Sequence, residues 1–149
     1  ATVYVARAEL EHWNGSDLDG DDRAGVARRK TGPYGDAGRL EPTDGEFAVT
    51  DSLTMIPTPV HTPGHCSVLL ASGGEHLVIL GDAAHHPVHL EHHDWIPGVD
   101  LDPAESTRSR GKIAALAVEK DALVTGGHFP ILTLGRVRAV EGGYRWEGR

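Results

Sequence analysis

Eight of the ten histidines in this chain lie between His61 and His93, and a ninth, His128, follows Gly126-Gly127. Imidazole titrates near neutrality and is the commonest protein ligand for metals. A histidine-rich tract is also what a solvated loop looks like, so clustering alone decides little. The setting of three positions says more. His61 sits in Thr58-Pro59-Val60-His61-Thr62-Pro63-Gly64-His65, where Pro and Gly fix a backbone path that can hold an imidazole still. Asp82 follows Gly81 at the end of the apolar run Leu77-Val78-Ile79-Leu80, and His128 stands in the same way after Ala122-Leu123-Val124-Thr125. Three donors leaving strand ends could converge at one rim of a sheet, and imidazole with carboxylate suits zinc or another borderline divalent ion. The rest of the cluster reads more blandly. His89, His92, His93 and Asp94 look like a solvated loop with Trp95 tucked beneath it, and Leu90-Glu91-His92-His93 does not make the His-Glu-x-x-His zinc helix.

The elements that must position these donors are legible in the apolar pattern. Thr2 to Ala6 predicts a short strand and Arg7 to Trp13 a short helix, with Trp13 packing. From Asn14 to Asp44 the crowding of Gly, Asp and Arg predicts mostly loop, with at most a short polar helix over Asp21 to Arg29. A calcium loop beginning at Asp17 is rejected, because Asp22 stands where Gly is needed and Arg28 where Glu is needed. From Phe47 onward the texture is β: Phe47–Val49, Leu53–Ile56, Ser67–Ala71 and His76–Leu80 read as consecutive strands of one sheet. Asp102-Pro103-Ala104-Glu105 is a helix start, with a capping carboxylate, a proline at the first position and an acid at the third; the helix runs to about Lys120 with Ile113, Leu116 and Ala117 inward. Glu105 reads as cap and surface. Ala122–Thr125 is a buried strand, and Arg136–Val140 with Tyr144–Trp146 a final hairpin.

Composition bounds the function. A chain of 149 residues and net charge −8 has room for one domain, and its longest basic block is Arg28-Arg29-Lys30, which disfavours nucleic acid and anionic membrane as partners. Its apolar runs fall far short of the ~20 residues of a membrane span, so a soluble protein is expected, with the cytoplasm favoured. The single Cys66 excludes an internal disulfide or a thiolate zinc site within the chain and reads as a small buried residue.

Taken in order, Thr-Pro-x-His-Thr-Pro-Gly-His, then Gly-Asp at a strand end, then Gly-x-His-Phe-Pro resembles the second half of the metallo-β-lactamase fold hydrolases, and within them the lactonase and organophosphate-hydrolase-like branch. The likeness runs by motif from Leu53 to Pro130. It implies an α/β chain forming half of an αββα sandwich, one mixed β-sheet flanked by helices, over residues 1–149. It also implies a metal site for two zinc ions, with His61 as ligand of the first, Asp82 bridging both and His128 as last ligand of the second. His65 would hold the ligand loop. His85, three positions after Asp82, falls where some lactonases of the family carry a substrate-facing Tyr; it, or His86 beside it, would polarise the substrate carbonyl or give a proton to the leaving group.

The departures matter equally. Val60 stands where the family usually has Gly, and its amino-terminal His-x-His-x-Asp-His motif is absent, His12 being the only histidine before His61. The chain is therefore expected to be a fragment, with too few ligands for a tight dinuclear site. The complete enzyme would cleave an ester, lactone or related bond of a small-molecule substrate with a metal-held hydroxide. A half-sandwich should expose Val, Leu and Ile on one sheet face, so the missing amino-terminal half or a second copy of the chain is the expected protein partner. Two alternatives stand beside this: a non-catalytic metal-binding or partner-binding module complete as given, and a mononuclear site built from His61, Asp82 and His128.

Overall fold

The computed structural model describes residues 1–15, 20–130 and 133–149. Asp17 to Asp19, where the calcium-loop reading was rejected, lie outside the described residues. The chain opens with β1 (Val3–Ala6) and α1 (Arg7–Asn14), continues through α2 (Asp22–Asp36), and returns in β2 (Leu40–Thr43) to pair in parallel with β1, Val3 opposite Leu40 and Ala6 opposite Thr43. Two expectations fail in this stretch, since α2 has 15 residues and a strand follows it where mostly loop was predicted. Local and tertiary contacts outweigh the poor helix propensity of its glycines. The Asp21 carboxylate accepts from the backbone N–H of Arg23 and Ala24, Arg28 donates to the carbonyls of Trp13 and Gly15, and Ala24 is fully buried.

The remaining strands are β3 (Phe47–Thr50), β4 (Leu53–Pro57), β5 (Cys66–Ser72), β6 (Glu75–Ile79), β7 (Leu123–Thr125), β8 (Gly135–Val140) and β9 (Gly143–Gly148), hydrogen-bonded in chain order in one seven-stranded sheet. All pairings are antiparallel except β6 with β7, where α3 (Pro103–Glu119) supplies the crossover. That single crossover makes the sheet mixed. It also sends the carboxyl ends of β4, β6 and β7 to the same rim, because β4 and β6 are each antiparallel to β5.

Strand alternation sorts the side chains. Ile56, Val78, Val124 and Val137 turn to one face and are buried with Leu80, Ala83, Ala84 and Leu90 against Ile113, Ala114 and Ala117 of α3. Trp146, opposite Val137, packs edge-on against Phe129 on this side. The other face carries Leu53, Met55, Val68, Leu70, Leu77, Ile79 and Leu123 in register across β4 to β7. These are only partly buried, and Ile79 is 40% exposed. An apolar sheet face left half-covered is what half of a sandwich leaves behind. Among the described residues, no helix is long and apolar enough to cross a membrane.

Candidate metal centre

The rim is built by three loops. The first runs from Thr58 to His65, and its base is a buried polar chain. The Thr58 hydroxyl lies 2.9 Å from the Ser67 hydroxyl, which donates to the Leu80 carbonyl at 3.0 Å. His65 Nδ1 donates to the Thr58 carbonyl at 2.8 Å, and Nε2 accepts from the backbone N–H of Asp82 at 3.0 Å. Both ring nitrogens are thus committed in one neutral tautomer. His65 joins the first loop to the second, the structural role expected of it.

The second loop leaves β6. Leu80 N–H still pairs with the Thr125 carbonyl, after which Gly81 turns the chain with φ +59°. Only glycine fits that turn, since a Cβ here would lie 2.7 Å from His65 Nε2. The third loop leaves β7 alongside, with Gly127 N–H donating to the Gly81 carbonyl. Asp82 and His128 consequently face each other, Oδ1 to Nε2 at 3.3 Å, with both side chains about half exposed.

His61 reaches the same rim. Its Nδ1 is 2.7 Å from Asp100 Oδ1 and its Nε2 is 2.6 Å from His85 Nε2. The His85 ring bridges the two pairs, its centroid 4.6 Å from that of His61 and 4.3 Å from that of His128. Burial and the neighbouring imidazoles hold the His85 pKa below its ordinary value. His86 is exposed and accepts the Val88 N–H, capping a 3-10 turn over Pro87–Leu90. His85 and His86, inseparable by sequence, therefore sit in different surroundings.

Other expectations are corrected here. Trp95 is not tucked beneath its loop but is 53% exposed and stacked on His92. His89 accepts the His85 backbone N–H through Nδ1 and so steadies the residue between His61 and His128. Cys66 is half-buried, and burial pushes its thiol pKa up. Sequence reading missed Asp100 and Arg110, whose side chains are fully buried and paired at 2.6 Å. A signal existed, for Arg110 lies on the stripe of α3 that carries Ser106, Ile113, Ala114 and Ala117.

The donor set fits a divalent metal in kind: imidazole and carboxylate at a common rim, with one imidazole braced through its far nitrogen by a carboxylate. It does not close a site unaided. Among the described residues, no three His, Cys, Asp or Glu side chains are grouped so as to hold a metal ion. His61 faces His85 while Asp82 faces His128, so the mononuclear three-ligand alternative does not form in this arrangement.

The part-buried histidines make stability depend on pH. Burial is the leading cause that holds His65 below its ordinary 6.5, and His85, His89 and His93 are shifted in the same direction for the same leading reason. The unfolded chain then binds protons that the fold resists, so stability is full above about pH 6.5 and falls as the solution is acidified through that value toward the lowered native ones. Carboxylates held low, such as Asp21 and Asp44, act further down. Urea midpoints at pH 8, 6.5 and 5 should decline in that order; a midpoint that is level or rises toward pH 5 contradicts the assignment.

A mixed sheet flanked by helices on one face, with His61, Asp82 and His128 in the loops after β4, β6 and β7, has the layout of half of an αββα sandwich. The family model of the metallo-beta-lactamase superfamily matches residues 1–128, and the chain belongs to that superfamily. Among solved structures it is similar to AbOPH, a hydrolase in the beta lactamase superfamily, with 24% identity and a TM-score of 0.81, covering 98% of this chain and 54% of that one. It is also similar to AidC, a dizinc quorum-quenching lactonase in complex with its product N-hexanoyl-L-homoserine: identity is 22%, TM-score 0.79, and coverage 100% of this chain and 55% of that one. A third relative is a probable metal-dependent hydrolase from Staphylococcus aureus, with 16% identity, a TM-score of 0.71, and coverage of 98% and 51%. No curated protein matches significantly. The chain spans about half the length of the solved structures it resembles. The half-sandwich reading of the fold agrees with all of this.

Proposed function

We propose that the chain is the carboxy-terminal part of a dinuclear zinc hydrolase that cleaves an ester, lactone or related carbonyl or phosphoryl bond of a small molecule. The observation that carries the reading is that loops from three separate strand ends bring His61, Asp82 and His128 to one rim, with the His61 and His128 rings both against that of His85 and Asp82 against His128. The likeness to a dizinc lactonase supports it. His61 would serve one ion, His128 the other and Asp82 both, with the remaining ligands coming from residues outside this chain. When bound, such ions make water nucleophilic near neutral pH and stabilise developing negative charge. The residues of this chain do the rest. His65 fixes the backbone of Asp82, and His85, its Nε2 beside that of His61 at the rim, would hydrogen-bond a substrate carbonyl or give a proton to a leaving oxygen once His61 is engaged by an ion. His86, the other candidate for that role, is exposed and accepts the Val88 N–H at the start of its turn. The half-covered sheet face carrying Ile79 would receive the missing amino-terminal half, or else a second copy.

The test is the protein expressed at full natural length, assayed for zinc content and for hydrolysis of a panel of lactones, esters and phosphotriesters. Asp82→Asn and His128→Ala should each lower zinc affinity and turnover by at least about a hundredfold, more than outer-shell partners ordinarily cost. A full-length protein that binds no zinc and hydrolyses nothing leaves the non-catalytic module as the reading.

A further inference from the structure

Asp100 is the acidic group that the site has and its sequence did not advertise. It lies in the loop between the Pro87–Leu90 turn and α3, with its carboxylate fully buried and each oxygen committed. Oδ2 accepts from Arg110 Nη2 at 2.6 Å, and Oδ1 faces His61 Nδ1 at 2.7 Å. Arg110 is itself fully buried; its Nε donates to the carbonyl of Ala83, next to Asp82, at 2.8 Å, and its Nη1 reaches the carbonyls of His93 and Trp95 at 3.4 Å. The chain Arg110–Asp100–His61 therefore runs from the core helix to the rim and touches both sides of the candidate centre.

We propose that Asp100 is a positioning residue that keeps the proton of His61 on Nδ1, so that the Nε2 lone pair faces the rim as a ligand. The argument is one of donors and acceptors. The buried Arg110 cation 2.6 Å from Oδ2 favours the ionised form of Asp100, and a carboxylate can only accept. A His61 ring with a single hydrogen must then carry it on Nδ1, which leaves Nε2 with its lone pair free. His85 Nε2, 2.6 Å away, meets that lone pair when it carries the His85 hydrogen. A carboxylate behind a ligating imidazole fixes ring orientation and raises its basicity. A purely structural ion pair with Arg110 would need neither the second oxygen nor this alignment. The inference rests on the proposed metal role of His61, but its proton placement can be read without metal.

The decisive variant is Asp100→Asn at full natural length. Arg110 will draw the amide oxygen, turning the amide NH2 toward His61 Nδ1, and this forces the ring hydrogen onto Nε2. Nitrogen-15 imidazole spectra of the metal-stripped protein should show His61 protonated on Nδ1 in the wild type and on Nε2 in the variant. Zinc affinity, measured by chelator competition, should fall about 10- to 100-fold. A wild-type His61 carrying its hydrogen on Nε2 overturns the proposal, and needs no folded variant. So does a folded Asp100→Asn protein with wild-type zinc affinity. A wild type with the expected tautomer that binds no zinc at all would instead sink the hydrolase reading and leave the assigned proton in place.

Discussion

Arg110→Met is expected to destabilise the fold by about 3–5 kcal/mol, the usual result of removing one partner of a buried ion pair. Methionine fills much of the same volume, so the loss is electrostatic and not a cavity effect. What it leaves behind is the fully buried Asp100 carboxylate with no cation, and an Ala83 carbonyl without its donor. Arg110→Lys should lose less but remain well below wild type, since one ammonium cannot serve Asp100, Ala83 and the two loop carbonyls from a single point. The double variant Asp100→Asn with Arg110→Met removes the stranded charge and should recover part of the loss. Urea unfolding midpoints of the four proteins check the series. A single Met variant within about 1 kcal/mol of wild type would mean that the pair is solvated and does not brace the rim.

The same pair shows where sequence reading stops. The strands from Phe47 to Ile79, the α3 helix and the final hairpin were legible because each is specified locally, by β-branched runs, by proline at the first helical position behind the Asp102 cap, and by Gly142-Gly143. The convergence of His61, Asp82 and His128 was legible for a related reason: each donor follows an apolar strand, and a single parallel crossover is enough to bring those ends to one rim. Asp100 carries no such local mark, and Arg110 has only its place on the inward stripe of α3. Ten residues apart across a loop and a helix start, they are joined only by packing, and an arginine among apolar residues resembles a surface residue until the fold encloses it. α2 was underestimated for a comparable reason. Gly25, Gly32, Gly35 and Pro33 argue against a helix, while the contacts that secure it, Arg28 on Trp13 and Gly15 and the buried Ala24, are tertiary. Trp95 failed in the opposite direction, since an aromatic residue beside a histidine-rich loop predicts burial but is met here by a stacked His92 in the open.

Gly81→Ala tests whether the Asp82 loop is as tightly specified as its contacts indicate. Two costs combine at this one atom. The backbone sits at φ +59°, a conformation that costs a residue with a Cβ about 1–2 kcal/mol. The added methyl would also stand 2.7 Å from His65 Nε2, and His65 cannot withdraw, because its other nitrogen is bonded to the Thr58 carbonyl beneath it. The bond from Asp82 N–H to His65 must therefore break, stranding a part-buried acceptor at a further cost of about 1–3 kcal/mol. A total loss of about 2–5 kcal/mol is expected, with Asp82 shifted relative to His128. Gly127→Ala is the control on the facing loop, since a Cβ there meets Asp82 Oδ1 at an ordinary 3.7 Å with no left-handed backbone, and its stability should be close to wild type. On a His65→Ala background the clash has no partner, so Gly81→Ala should cost only its backbone share. Equal losses on both backgrounds would show that His65 does not hold the loop, and the account of how Asp82 reaches the rim would fall with it.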